Sequence, residues 1–197
     1  MKLKRIILSI MILLSISWSL EKDNGYLKVY SKEGVGGYKS YKAELVLSEN
    51  IKRVSDFLLD ISGHCMWVYN CLSSSKLQEF APNHFIIHYR IDVPFPVSDR
   101  EVFFDTRFKE ESFNNKKFIN IQMNVVDSSF SIQKGNVPIT KGYIQITLLE
   151  LSESTTAVTY IYNLDPAENL SKTIANPFQY RLTYYTMKSL QEKLKNK

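Results

Sequence analysis

Hydrophobic and polar positions alternate with a period of two through the middle of the chain, which predicts half-buried strands. Phe85, Ile87, Tyr89, Ile91 and Val93 fall on one face, with His88, Arg90 and Asp92 on the other. Val102, Phe104, Thr106 and Phe108 alternate against Asp105, Arg107 and Lys109, and Ile119, Ile121, Met123 and Val125 against Asn120, Gln122 and Asn124. One buried and one solvated face is the pattern of antiparallel sheets. Residues 26–31 and 38–47 read as two strands around the turn Glu33-Gly34-Val35-Gly36-Gly37, and residues 76–80 as a weak one. Residues 142–150 and 155–164 form a last pair, joined at Ser152-Glu153-Ser154. Turn chemistry stands at Pro82-Asn83, Asn114-Asn115 and Gly135-Asn136.

The period changes twice. After Ser48, read as an N-cap, Ile51, Val54, Phe57, Leu58 and Ile61 recur at helical spacing, and the helix stops near Gly63. Residues 171–194 read as a long final helix, with Phe178, Leu182 and Tyr185 on one face and Met187, Leu190 and Leu194 extending it. Pro177 either opens that helix or kinks it. The apolar face of a sheet needs cover, and only the final helix is long enough to give it. The architecture expected is α+β: a curved antiparallel sheet wrapped round a long C-terminal helix. Alternation by itself does not distinguish a cavity between the two from a filled core.

The length of 197 residues and the absence of any linker suit one domain, spanning 20–197. Residues 1–19 read as a targeting segment, with Lys2, Lys4 and Arg5 ahead of an apolar run over 6–16 that is short for a membrane span. Small residues at Ser15, Ser17 and Ser19 place cleavage after Ser17 or Ser19; the other reading is an uncleaved anchor. Without those three cations the basic count falls from 25 to 22 against 20 acidic residues, and the net charge from +5 to +2. No Lys/Arg stripe interleaved with aromatics is present, which argues against nucleic acid. Twelve Tyr and eleven Phe suit strands and an apolar pocket. In an oxidising compartment Cys65 and Cys71 are either bridged or two buried thiols, and both readings stand at this point. His64, His84, His88 and the cysteines match no zinc spacing, and the nucleophile-elbow, P-loop and dinucleotide fingerprints are missing.

The most specific stretch is His88-Tyr89-Arg90-Ile91-Asp92-Val93-Pro94-Phe95-Pro96-Val97-Ser98-Asp99-Arg100-Glu101-Val102. With the opening from Trp18 to Tyr30, the helix followed by Trp67, and Asp165-Pro166 with Asn176 before the last helix, it resembles the StAR-related lipid transfer (START) domain, of the helix-grip, Bet v 1-like fold. The likeness covers nearly all of 20–197. Departures from the family pattern are Glu101 in place of Asp, Ala167-Glu168 where Gly is usual, and the lack of a clear basic Val-Arg segment near Lys141.

The resemblance implies an apolar cavity under the final helix holding one lipid or similar hydrophobic molecule. The expected lining is Ile87, Tyr89, Ile91, Phe104, Thr106, Ile121, Met123, Phe178, Leu182 and Tyr185, each also open to a plain core role. Thr106, Tyr89 and Tyr185 are candidates for a polar head contact, while Arg90 and Arg107 are expected on the outer face and Asp99 and Arg100 in a structural role. Residues 110–116, with Phe113 at the tip, are either a gate beside the helix or an ordinary exposed turn. The expected protein is an exported, monomeric lipid carrier or sensor in transient contact with membranes, with no cofactor, no metal and no catalytic residue. Two alternatives predict different interiors. A cyclase or hydrolase working in the cavity needs an inward carboxylate or His with a perturbed pKa. A non-binding interaction domain needs a cavity filled by side chains.

Overall fold

The computed structural model describes residues 18–114, 116–126, 130–167 and 170–195. Ten strands form one sheet: β1 (Ser19–Asp23), β2 (Leu27–Glu33), β3 (Lys39–Leu47), β4 (Cys71–Ala81), β5 (His84–Ile91), β6 (Arg100–Phe113), β7 (Lys116–Val125), β8 (Val137–Ile139), β9 (Gly142–Ser152) and β10 (Thr155–Leu164). Among the described residues two α-helices accompany the sheet, α1 (Ile51–Leu59) and α2 (Lys172–Lys195). The strand order is β1-β2-β3-β10-β9-β7-β6-β5-β4, antiparallel throughout, with the short β8 pairing parallel to β6. This is the curved sheet and long C-terminal helix that the alternation and the final periodic segment predict.

The strands follow their periods. Each inward residue of β5 faces an inward residue of β6 across the ladder, Ile87 opposite Phe104 and Tyr89 opposite Val102, so two alternating patterns make one buried surface. The sequence reading missed β1, whose five residues are all exposed, and β8, which has only three. It also undersized β4, a serine-rich edge strand with three register irregularities against β5. The cap of α1 is Asn50, whose side chain accepts from the Arg53 backbone N–H at 2.8 Å, and not Ser48. The helix ends at Leu59, and a 3₁₀ segment, Ile61–Met66, carries the chain past Gly63. Pro177 lies inside α2 and does not open it. Just ahead of it, the Asn176 carbonyl accepts the Tyr41 hydroxyl and the Asn176 side chain accepts the Lys39 N–H, both at 2.9 Å, which moors this end of the helix to β3.

At the open end of the β9–β10 hairpin, away from its turn, Gly142 pairs with Leu164 and has φ +123. A Cβ there would meet the Asn163 carbonyl oxygen at 2.1 Å and the Leu164 Cα at 2.7 Å. Gly142→Ala is therefore expected to cost about 3 kcal/mol or more, from backbone strain together with overpacking. Urea unfolding checks it, and a loss below about 1 kcal/mol would contradict the close approach.

The placement of α2 decides what the interior is. The helix packs mainly on β3, with β2 and β10 beside it. The inward faces of β5, β6, β7 and β9 curl round on the opposite side. A straight helix and a curved sheet do not meet along the whole of their facing surfaces, and the remainder is a hollow.

Candidate functional site: an apolar hollow beneath the last helix

The walls of the hollow come from six strands, β5 to β10, the end of α1 with its connection to β4, and α2. The space among these side chains amounts to about 1040 Å³, counting the part that opens to solvent. The centre of a water molecule can reach about 80 Å³ of it. That exceeds the roughly 10–15 Å³ needed to seat one water, so the interior is not a filled core. It is also narrow, so a bulky guest must spread the walls to enter.

All of the expected lining residues except Tyr185 face this space: Ile87, Tyr89 and Ile91 from β5, Phe104 and Thr106 from β6, Ile121 and Met123 from β7, and Phe178 and Leu182 from α2. Tyr185 does not. It is 41% exposed and stacks on Tyr69 at 4.9 Å, on the outer side of the helix. The cause is the composition of the buried stripe. Gln179, Thr183, Thr186 and Gln191 lie on the covered face of α2 alongside Ala175, Leu182 and Leu190. At about 100° per residue that face is centred roughly a third of a turn away from the line through Phe178 and Tyr185. A reading that follows apolar residues alone lands on its rim.

Several polar groups reach the hollow that strand alternation did not indicate. His64 comes from the 3₁₀ segment, is buried, and faces the cavity. Its Nε2 lies 2.8 Å from the Leu58 carbonyl oxygen and its Nδ1 meets the Tyr89 hydroxyl. A carbonyl only accepts, so Nε2 carries the proton and Nδ1 accepts from Tyr89. Burial depresses the His64 pKa to about 4 and pushes the Tyr89 hydroxyl well above its ordinary value. Both groups are neutral. Cys65 and Cys71 form a disulfide, with Cα atoms 4.8 Å apart, and it ties the segment carrying His64 to the start of β4.

Arg100 also lines the hollow, at the β6 entrance, with Nε donating to the Pro166 carbonyl at 2.7 Å and Nη1 to the Ser98 carbonyl. It thereby fixes the approach to α2. Asp99 accepts from the Val93 N–H at 3.2 Å. Arg90 and Arg107 face outward as expected, Arg107 towards Asp105 at 3.3 Å. Tyr160 and Tyr162 enter from β10, and burial raises the pKa of both hydroxyls. Gln179 enters from α2.

Of the segment 110–116, Glu110 to Phe113 and Lys116 belong to the ends of β6 and β7, with Phe113 paired to Lys116, as the ordinary-turn reading expects. The side chain of Phe113 lies outside the described residues. The loop that does reach the hollow is residues 92–99: Val93 lines it, and Phe95 is 96% exposed.

The chain therefore has a START-like helix-grip fold, an α+β domain enclosing an apolar cavity. No protein-family model matches the sequence, and no curated protein matches it. Solved structures do. A STAR-related lipid transfer protein fragment from Xanthomonas axonopodis superposes with a TM-score of 0.78 at 22% identity, over 91% of this chain and 99% of that one. Human StAR-related lipid transfer protein 5 gives a TM-score of 0.83 at 13% identity, over 99% and 96% of the two chains. Human STARD10 gives 0.72 at 17% identity, over 90% of this chain and 72% of that one. At such identities the likeness is one of fold.

Proposed function

We propose that this chain binds one lipid or similar hydrophobic molecule in the hollow beneath α2, for transport or sensing, as an exported monomer without cofactor or metal. The observation that carries the reading is the hollow itself, walled by Ile87, Phe104, Ile121 and Met123 and left open where α2 stands off the sheet. Each CH₂ that leaves water for such a space gains about 0.8 kcal/mol. The names of the structural neighbours, which describe lipid transfer proteins, support it. Membrane contact falls to the loop over 92–99, where Phe95 projects into solvent beside Val93 in the cavity wall. The Cys65–Cys71 bridge supports an oxidising compartment. The segment read as a targeting signal lies outside the described residues except for Trp18 and Ser19.

A catalytic reading has one observation on its side. His64 is an inward histidine with a perturbed pKa, the feature such an enzyme requires. Both of its ring nitrogens are engaged, by Leu58 and Tyr89, which gives it the character of a fixed wall group. Binding without chemistry is the reading we adopt.

The test is native mass spectrometry of the full chain purified under oxidising conditions, followed by melting with added lipid extract. One lipid per chain is expected. At a ligand concentration a hundred times Kd the gain is about 2.7 kcal/mol, or roughly 5–10 °C for a domain of this size. A chain that carries no lipid and melts unchanged with every lipid offered removes the reading.

A further inference from the structure

Gln179 is 1% exposed and lines the hollow from the α2 side. Its Nε2 donates to the Leu164 carbonyl at 2.8 Å. Its Oε1 is buried and has no hydrogen-bond partner. The amide cannot be turned over to cure this, since Oε1 would then face the Leu164 carbonyl, acceptor against acceptor. The orphan is thus an acceptor, held in place by a hydrogen bond from its own amide nitrogen. Buried carbonyl oxygens left without a donor cost free energy that a bound donor recovers. The threonine hydroxyl one turn further along the helix is taken: Thr183 donates to the Gln179 backbone carbonyl at 3.0 Å.

The rest of the polar lining supports a neutral guest. The Tyr160 and Tyr162 hydroxyls face the same hollow and make no hydrogen bond among the described residues. Burial raises their pKa, so both stay protonated and can accept or donate. Arg100, the one cation in the lining among the described residues, is directed to the carbonyls of Pro166 and Ser98. An acceptor-only oxygen repels a phosphate and attracts a hydroxyl.

Resting on the proposed lipid-binding role, we infer that Gln179 Oε1 is the acceptor for a hydroxyl on the bound lipid, and that the hollow selects neutral hydroxyl-bearing lipids over those lacking the donor or carrying a phosphate.

The experiment is displacement of a fluorescent fatty-acyl probe from the full chain by matched pairs. Cholestanol is compared with cholestanone, and dioleoylglycerol with the dioleate of propane-1,2-diol; each second member lacks the hydroxyl at nearly the same size. Dioleoyl phosphatidate is the anionic arm. The wild type should prefer the hydroxyl member of at least one pair by on the order of tenfold, the usual cost of an unmet buried acceptor. Gln179→Met should abolish that preference, so that the two members of each pair then displace the probe equally. Equal binding within both pairs in the wild type overturns the inference and means that a water serves Oε1; this arm needs no variant to fold. A preference that persists in Gln179→Met also overturns it, as does tighter binding of the phosphatidate. Displacement by none of the five lipids instead removes the lipid-binding role on which the inference rests.

Discussion

Lowering the pH from 7 to 5 should weaken the fold by about 2 kcal/mol through His64 alone, rising to roughly 3 kcal/mol by pH 4. The imidazole is buried against Leu58 and Tyr89, and burial brings its pKa down from 6.5 to about 4. Between those values the unfolded chain binds a proton that the native chain refuses. Stability therefore falls as the pH falls, is fully present above the unfolded value, and is lost as pH drops through the folded one. Most carboxylates titrate below this window, and the difference from a His64→Gln variant separates the part due to His64 from any due to His84 and His88. Urea unfolding at several pH values reads the slope directly, with His64→Gln as the comparison, which should flatten it. A wild type equally stable at pH 7 and pH 5 would show that the imidazole is not enclosed as described. The consequence reaches the hollow, because a protonated His64 has no acceptor left for the Tyr89 hydroxyl and would draw water into the apolar wall.

Phe104→Ala should cost about 3–5 kcal/mol, while Tyr185→Ala should cost under about 1 kcal/mol. Phe104 is 1% exposed, opposite Ile87 in the ladder and edge-on to Tyr89 at 6.0 Å. Removing its ring leaves space that neighbours on a paired central strand cannot refill. The same deletion widens the hollow, so the variant should accept bulkier guests while melting about 10 °C lower. Tyr185, on the outer side of α2, loses little beyond its ring contacts with Tyr69 and Tyr184. Equilibrium unfolding of the two variants side by side tests the placement of α2. Equal losses, or a larger one at Tyr185, would mean that the helix presents the other face to the sheet.

Much of this fold was legible from spacing. The alternation from Phe85 to Val93 and from Val102 to Thr106 assigned inward faces that the structure keeps, and β10 runs from Thr155 to Leu164 as the sequence reading bounds it. Those strands are central and half-buried, where the period of two is strongest. The pattern weakens at the edges. In β1 every residue is exposed, and β4 is irregular against its single partner, so neither carries a strict alternation. The site was less legible. His64 sits in a 3₁₀ turn with no period of its own, and Gln179 is a polar residue in a stripe searched for apolar ones.

The order of apolar and polar residues by itself determined the central strands, their buried faces, the two helices and the need for a helix to cover the sheet, because those follow from periods of 2.0 and 3.6. Which face of α2 turns inward, whether its closure leaves a hollow, and which polar groups meet there were decided only by the tertiary structure. A buried polar side chain is tolerated when a partner distant in sequence satisfies it, as Leu164 does for Gln179 and Tyr89 for His64. Such pairs come into being only when the chain closes on itself, and no local pattern announces them.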